Sequence, residues 1–110
     1  MTVTELIRND KLFDLDFTVT DSDGVAVDLT GSLIRFKMAL QGASTSKVSS
    51  TSVSITTATS GTCSYTVQSG DLDTSGLYNA ELQIVYSTTT TAAKTITATL
   101  DNIRVVDDLP

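Results

Sequence analysis

Apolar and polar side chains alternate through most of this chain, and nowhere do the apolar ones recur at helical spacing. The clearest run begins near Gly76. Tyr78, Ala80, Leu82, Ile84 and Tyr86 fall on one face, and Asn79, Glu81 and Gln83 on the other. Side chains of a strand point alternately to opposite faces, so this run predicts a half-buried β-strand ending near Ser87. Residues 12–20 repeat the pattern, with Phe13, Leu15, Phe17 and Val19 set against Asp14, Asp16 and Thr18. Residues 33–40 repeat it again, with Ile34, Phe36, Met38 and Leu40 inward and Arg35 and Lys37 outward. Shorter strands are predicted over 3–8, over 25–29, from Val48, at Val53 and Ile55, and over 62–68, where Cys63, Tyr65 and Val67 share a face. In the last stretch, 95–106, Ile96, Ala98 and Leu100 alternate up to Asp101-Asn102, after which Ile103, Val105 and Val106 resume.

Turn signals separate these runs. Asp21-Ser22-Asp23-Gly24 is a hairpin signal, and Thr30-Gly31 and Ser60-Gly61 reverse the chain again. Residues 41–52 are small and polar and read as a loop, and residues 69–73 as a loop with room for one helical turn. Ser87 and the run Thr88, Thr89, Thr90, Thr91 read as the tip of a long hairpin. About seven or eight short strands with such regular turns predict two antiparallel sheets packed face to face, without substantial helix. The chain divides into an N-terminal strand or arm (1–11), the sandwich (12–106) and a C-terminal tail (107–110).

Tyr78 opens its strand directly after an acidic loop and Gly76. This resembles the tyrosine corner of immunoglobulin-like sandwiches, in which the phenol bonds to upstream backbone and locks a loop that crosses between sheets. Tyr78, Gly76 and Asp73 are the residues of the expected corner, and the fold class is an immunoglobulin-like antiparallel β-sandwich. Two residues past the Tyr, where antibody domains carry a Cys, stands Ala80.

Composition narrows the function. At 110 residues the chain is one domain, able to bury roughly 60–70% of its unfolded surface without staples. The single cysteine excludes an internal disulfide, and Cys63 reads as a small buried hydrophobe. Of 13 acidic residues, 11 are Asp, which favours turns over helices. A net charge of −6 disfavours nucleic acid and anionic membrane as partners, because phosphate contacts need Lys and Arg. No apolar run exceeds three residues, so no transmembrane helix is expected, and the N-terminus lacks the basic start and apolar stretch of a signal peptide. From its initial Met the chain reads as a whole product made in a reducing cytosol.

Catalytic patterns are hard to assemble. The sequence contains no His, which removes the commonest general base and most zinc sites. Asp21 and Asp23 beside Gly24 lack the further ligands and closing Glu of a calcium loop, and read as a solvated turn. Asp71 and Asp73 read as acids that cap a turn through backbone N–H groups. Asp14 and Asp16 lie side by side on an outer strand face, without the cleft that paired-carboxylate chemistry needs. Arg35, Lys37 and Lys47 form the one basic cluster and read as a solvated face. All three Tyr project inward by period, which leaves no aromatic platform for sugars or bases. No catalytic, metal or cofactor residue is assigned.

The order of motifs is similar to a small immunoglobulin-like domain of tailed bacteriophages, the N-terminal domain of the phage baseplate upper protein. Its start resembles residues 16–39, an alternating strand, an Asp-x-Asp-Gly turn, a segment ending Asp28-Leu29-Thr30-Gly31, and a strand centred on Phe36. Downstream the resemblance rests on Gly61 with Tyr65, Gly70-Asp71-Leu72, Gly76-Leu77-Tyr78, the strand to Tyr86, and Ile103-Arg104-Val105. It spans about residues 12–106, while 41–60 and the Thr hairpin tip depart from it.

The resemblance implies a non-enzymatic structural protein of the virion that mediates protein–protein attachment in the tail, baseplate or fibre region. The alternatives are a capsid decoration protein or a host-surface-binding module. The expected partners are other virion proteins, with the chain a homo-oligomer or present in many copies, and with no nucleic acid, membrane, cofactor or small-molecule ligand. Expected contact regions are the N-terminal segment, with Thr2, Thr4 and Leu6, which could pair with a neighbouring sheet edge, and the hairpin tip Thr88–Thr91.

Overall fold

The computed structural model describes residues 3–86 and 94–107. Among these, nine strands follow one another: β1 (Val3–Ile7), β2 (Asp14–Thr18), β3 (Ser32–Leu40), β4 (Val48–Ser50), β5 (Val53–Thr57), β6 (Thr62–Thr66), β7 (Gly76–Tyr86), β8 (Lys94–Thr99) and β9 (Asn102–Val106). The only helical segment among them is a single 3-10 turn, Ala58–Ser60, and not the corner loop at 69–73.

The strands form two sheets. The larger runs β1-β9-β7-β3-β4, with β8 also paired to β7, and the smaller runs β2-β6-β5. The long central pair is β3 with β7, in register from Ser32 opposite Tyr86 to Leu40 opposite Tyr78. All pairs are antiparallel except β1 with β9, which run parallel from Val3 opposite Asn102 to Ile7 opposite Val106. β1 is therefore an integral edge strand of its own chain's sheet.

The apolar faces predicted from the alternation meet between the sheets. Ile34, Phe36, Met38, Ala80, Leu82 and Ile84 of the larger sheet pack against Cys63 and Tyr65 of the smaller one, all buried. Phe36 crosses the gap and stacks on Phe17 of β2 and Tyr65 of β6, with ring centroids 5.7 and 4.7 Å away. Burial raises the pKa of the Cys63 thiol, which keeps it protonated.

The break in alternation at Asp101-Asn102 is a bulge. Glu81 faces Thr99, but Tyr78 faces Ile103, so Asn79 and Ala80 are opposed by three residues, Leu100, Asp101 and Asn102. The extra residue shifts the parity of the strand. Even-numbered Ile96, Ala98 and Leu100 and odd-numbered Ile103 and Val105 then all turn toward the core. β8 and β9 are in effect one strand that changes step to keep its hydrophobic face inward.

Two expected strands differ. Residues 12 and 13 precede β2, because Leu12 has φ +64° and is 70% exposed. Residues 25–29 make only one bridge, Thr20 with Ala26, before Leu29 N–H turns to the Ala58 carbonyl at 2.9 Å. The reason lies at Gly61, which has φ +69°. A Cβ there would sit 2.5 Å from the Val19 carbonyl oxygen and 2.9 Å from that of Val27. Three backbones converge on that glycine, and the 3-10 turn takes the place of a longer ladder.

Candidate functional site

Two parts of the surface stand out, the corner before β7 and the outer edge of β2. At the corner, Gly76 has φ +146°, and a Cβ there would meet Leu40 Cδ1 at 2.6 Å, so the chain enters β7 pressed against β3. Two residues on, the buried Tyr78 hydroxyl donates to the Thr74 carbonyl at 2.6 Å. Burial raises the Tyr78 pKa, which holds the phenol in the neutral form that donates. Asp73 takes no part in that bond. It accepts from the Thr74 hydroxyl at 2.9 Å and pairs with Lys47, which follows the 41–46 loop. Their hydrogen bond lowers the Asp73 pKa and raises that of Lys47.

A second clasp lies beside the first. The Tyr65 hydroxyl donates to the Asp71 carboxylate, which also accepts the Gln68 N–H at 2.9 Å. Burial, then Asp71, pushes the Tyr65 pKa well above its ordinary value. Its period placed Tyr65 in the core, but nothing in the local pattern signalled that its hydroxyl reaches a loop acid six residues on. Tyr86 behaves similarly, donating to the Asp28 carbonyl at 2.6 Å. Every buried side-chain nitrogen or oxygen among the described residues has a partner.

The remaining sites read from sequence are dispersed. Asp21 Oδ1 accepts N–H groups from Asp23 and Val25, at 2.9 and 3.0 Å, in a solvent-exposed turn. Arg35 bonds Ser49 and Lys37 pairs with Glu81, so these two and Lys47 serve separate contacts and do not act as one basic cluster. Thr4 and Leu6 lie on β1, where Leu6 packs against the core and Thr4 lines a cleft described next. Thr2 and Thr88–Thr91 fall outside the described residues.

The larger sheet has six strands and the smaller three, and β2 is one edge of the smaller. An open cleft of about 360 Å³ lies there, lined by Leu15, Asp16, Phe17 and Thr18 of β2 and by Thr4, Leu100, Asp101 and Ile103 of the facing sheet. Val67 N–H bonds to the Phe13 carbonyl and Val19 N–H to that of Gly61, at 2.9 and 2.8 Å, so the odd-numbered residues of this strand direct their backbone toward β6. Antiparallel ladders alternate. The N–H and C=O groups of Asp14, Asp16 and Thr18 therefore point away from β6, along an edge that the described residues leave unpaired.

A two-sheet sandwich with its crossing loop tied to a phenol belongs to the immunoglobulin-like class of β-domains. Within that class, the chain matches the family model described as the BppU N-terminal domain over residues 7–109, and it belongs to that family, the N-terminal domain of the phage baseplate upper protein. No curated protein matches the chain. Membership gives it a structural role in the phage tail or baseplate, within the virion. No helix among the described residues is long and apolar enough to cross a membrane.

Proposed function

We propose that this domain attaches one virion protein to another in the tail, baseplate or fibre region, without catalysing a reaction. Family membership over residues 7–109 carries the reading. The fold supports it with strand edges that the described residues leave unpaired at the ends of both sheets, which are surfaces that bind a neighbour through backbone hydrogen bonds. The absence of His from the sequence agrees with a binding role. Many copies act together, because repeated weak contacts add through effective concentration. β1, with Thr4 and Leu6, is one proposed contact strand, and the Thr88–Thr91 segment another.

The test is to separate purified particles into capsid and tail fractions and find the chain by mass spectrometry. Recovery with the tail is expected. Recovery with the capsid alone would point to decoration, and absence from both fractions would remove the proposal.

A further inference from the structure

We propose that the cleft beside β2 receives an extended segment of another virion protein, which adds a fourth strand to the smaller sheet and carries alternating apolar and basic residues. This rests on the attachment reading above. Asp14, Asp16 and Thr18 offer outward-facing N–H and C=O groups along the outer edge of β2. Five residues of strand span about 17 Å, so the edge suits a segment of similar length. Side chains of an added strand must alternate as those of β2 do. One set turns inward, onto Leu15 and Phe17, which are only half-buried although they belong to the core face. Leu100 across the cleft is half-buried as well. The other set turns outward and stands beside Asp14 and Asp16.

Charge selects the occupant. Asp16 and Asp101 line the cleft, and Asp14 is exposed on the same face as Asp16. The ion pairs among the described residues, Arg8–Asp107, Lys37–Glu81 and Lys47–Asp73, all lie elsewhere. Opposite charges directly across neighbouring strands are favourable and like charges unfavourable. A second copy of this chain, with net charge −6 and the same Asp-bearing edge, is a poor match. Lys or Arg at every second position of a foreign strand is a good one.

The test places the photo-crosslinker p-benzoylphenylalanine at Thr18, on the cleft, or at Thr97, on the outer face of the larger sheet, in full-length chain assembled into particles. Cross-linking from Thr18 to a segment of another virion protein with alternating apolar and Lys or Arg residues is expected. Reversing the edge charge with D14K and D16K together should cut that product at least tenfold while the free chain, which loses only the hydrogen bond from the Thr66 hydroxyl to Asp14, keeps its fold. Asp16→Pro, which removes an outward N–H, should do the same, and if it does not fold the charge reversal decides. Cross-linking from Thr18 to a second copy or to an acidic segment overturns the cleft proposal. So does cross-linking from Thr97 alone, or from neither position in particles that contain the chain, and in these cases the attachment reading survives. A chain absent from the particle overturns both.

Discussion

At the corner, side chains from separate segments close on one another, whereas along the outer edge of β2 the backbone is left facing outward. Tyr78 reaches Thr74, Tyr65 reaches Asp71 and Lys47 reaches Asp73, all around one loop. Beside β2, Leu15 and Phe17 are half-covered, and three residues present hydrogen-bonding groups that the described residues leave unpaired. The difference separates two uses of the same materials. A buried polar group left without a partner costs the fold, so the corner satisfies each one internally. An exposed edge satisfies its groups with water at little cost, and exchanges water for a partner when one arrives.

The comparison is broken or sharpened by substitution. The largest effect is expected where both regions share a core. Phe36→Ala removes the ring between Phe17 and Tyr65 and should cost about 3–5 kcal/mol by urea unfolding. A loss below about 1 kcal/mol would mean that the sheets are not joined through that stack.

Next comes the corner itself. Tyr78→Phe leaves the Thr74 carbonyl without its donor and should cost about 1–3 kcal/mol. Equal thermal midpoints for mutant and parent would dismiss the corner as a stabilising clasp.

Alkaline pH tests the neighbouring phenol. Tyr65 has its folded pKa raised by burial and by Asp71. Its contribution is fully present below the unfolded value of about 10 and is lost as pH rises toward the folded value, because the unfolded chain gives up the proton first. The thermal midpoint should fall above about pH 10, and Tyr65→Phe should flatten that fall. An identical slope in the variant would rule Tyr65 out as its source.

The smallest effects distinguish an exposed pair from an open edge. Lys47→Met removes a solvent-facing ion pair and should cost less than about 1 kcal/mol. The pair is complete between the ordinary Asp and Lys pKa values. It weakens in acid as Asp73, with its lowered pKa, takes up a proton, and in strong alkali as Lys47, with its raised pKa, loses one. Asp16→Asn at the β2 edge should shift stability by no more than about 0.5 kcal/mol. A larger loss would show that the edge carries structural weight, and the contrast with the corner would disappear.

Much of the corner could be read from residues close together in the chain. Gly76 and Tyr78 lie two apart, and the hydroxyl acts only four residues back, so one local segment contains the glycine, the ring and the acceptor. The Tyr65–Asp71 clasp spans six residues and is not legible locally, because an inward-facing Tyr in a strand looks the same whether its hydroxyl meets a carbonyl, a carboxylate or water. The cleft could not be found locally at all. Asp14 and Asp16 face outward as their period requires, but whether the backbone between them is paired depends on which strand lies beside β2.

Alternation along the chain was enough to tell which side chains face the core, since the period of a strand leaves no choice once one face is apolar. It also marked where the last strand must change step, at Asp101-Asn102. Strand order was decided elsewhere. The parallel seating of β1 on β9, the collapse of 25–29 to a single bridge around Gly61, and the outer edge of β2 that the described residues leave open all depend on contacts between residues far apart in sequence. Backbone hydrogen-bonding groups are nearly the same in every residue, so only three-dimensional packing determines which edges are paired and which stay open.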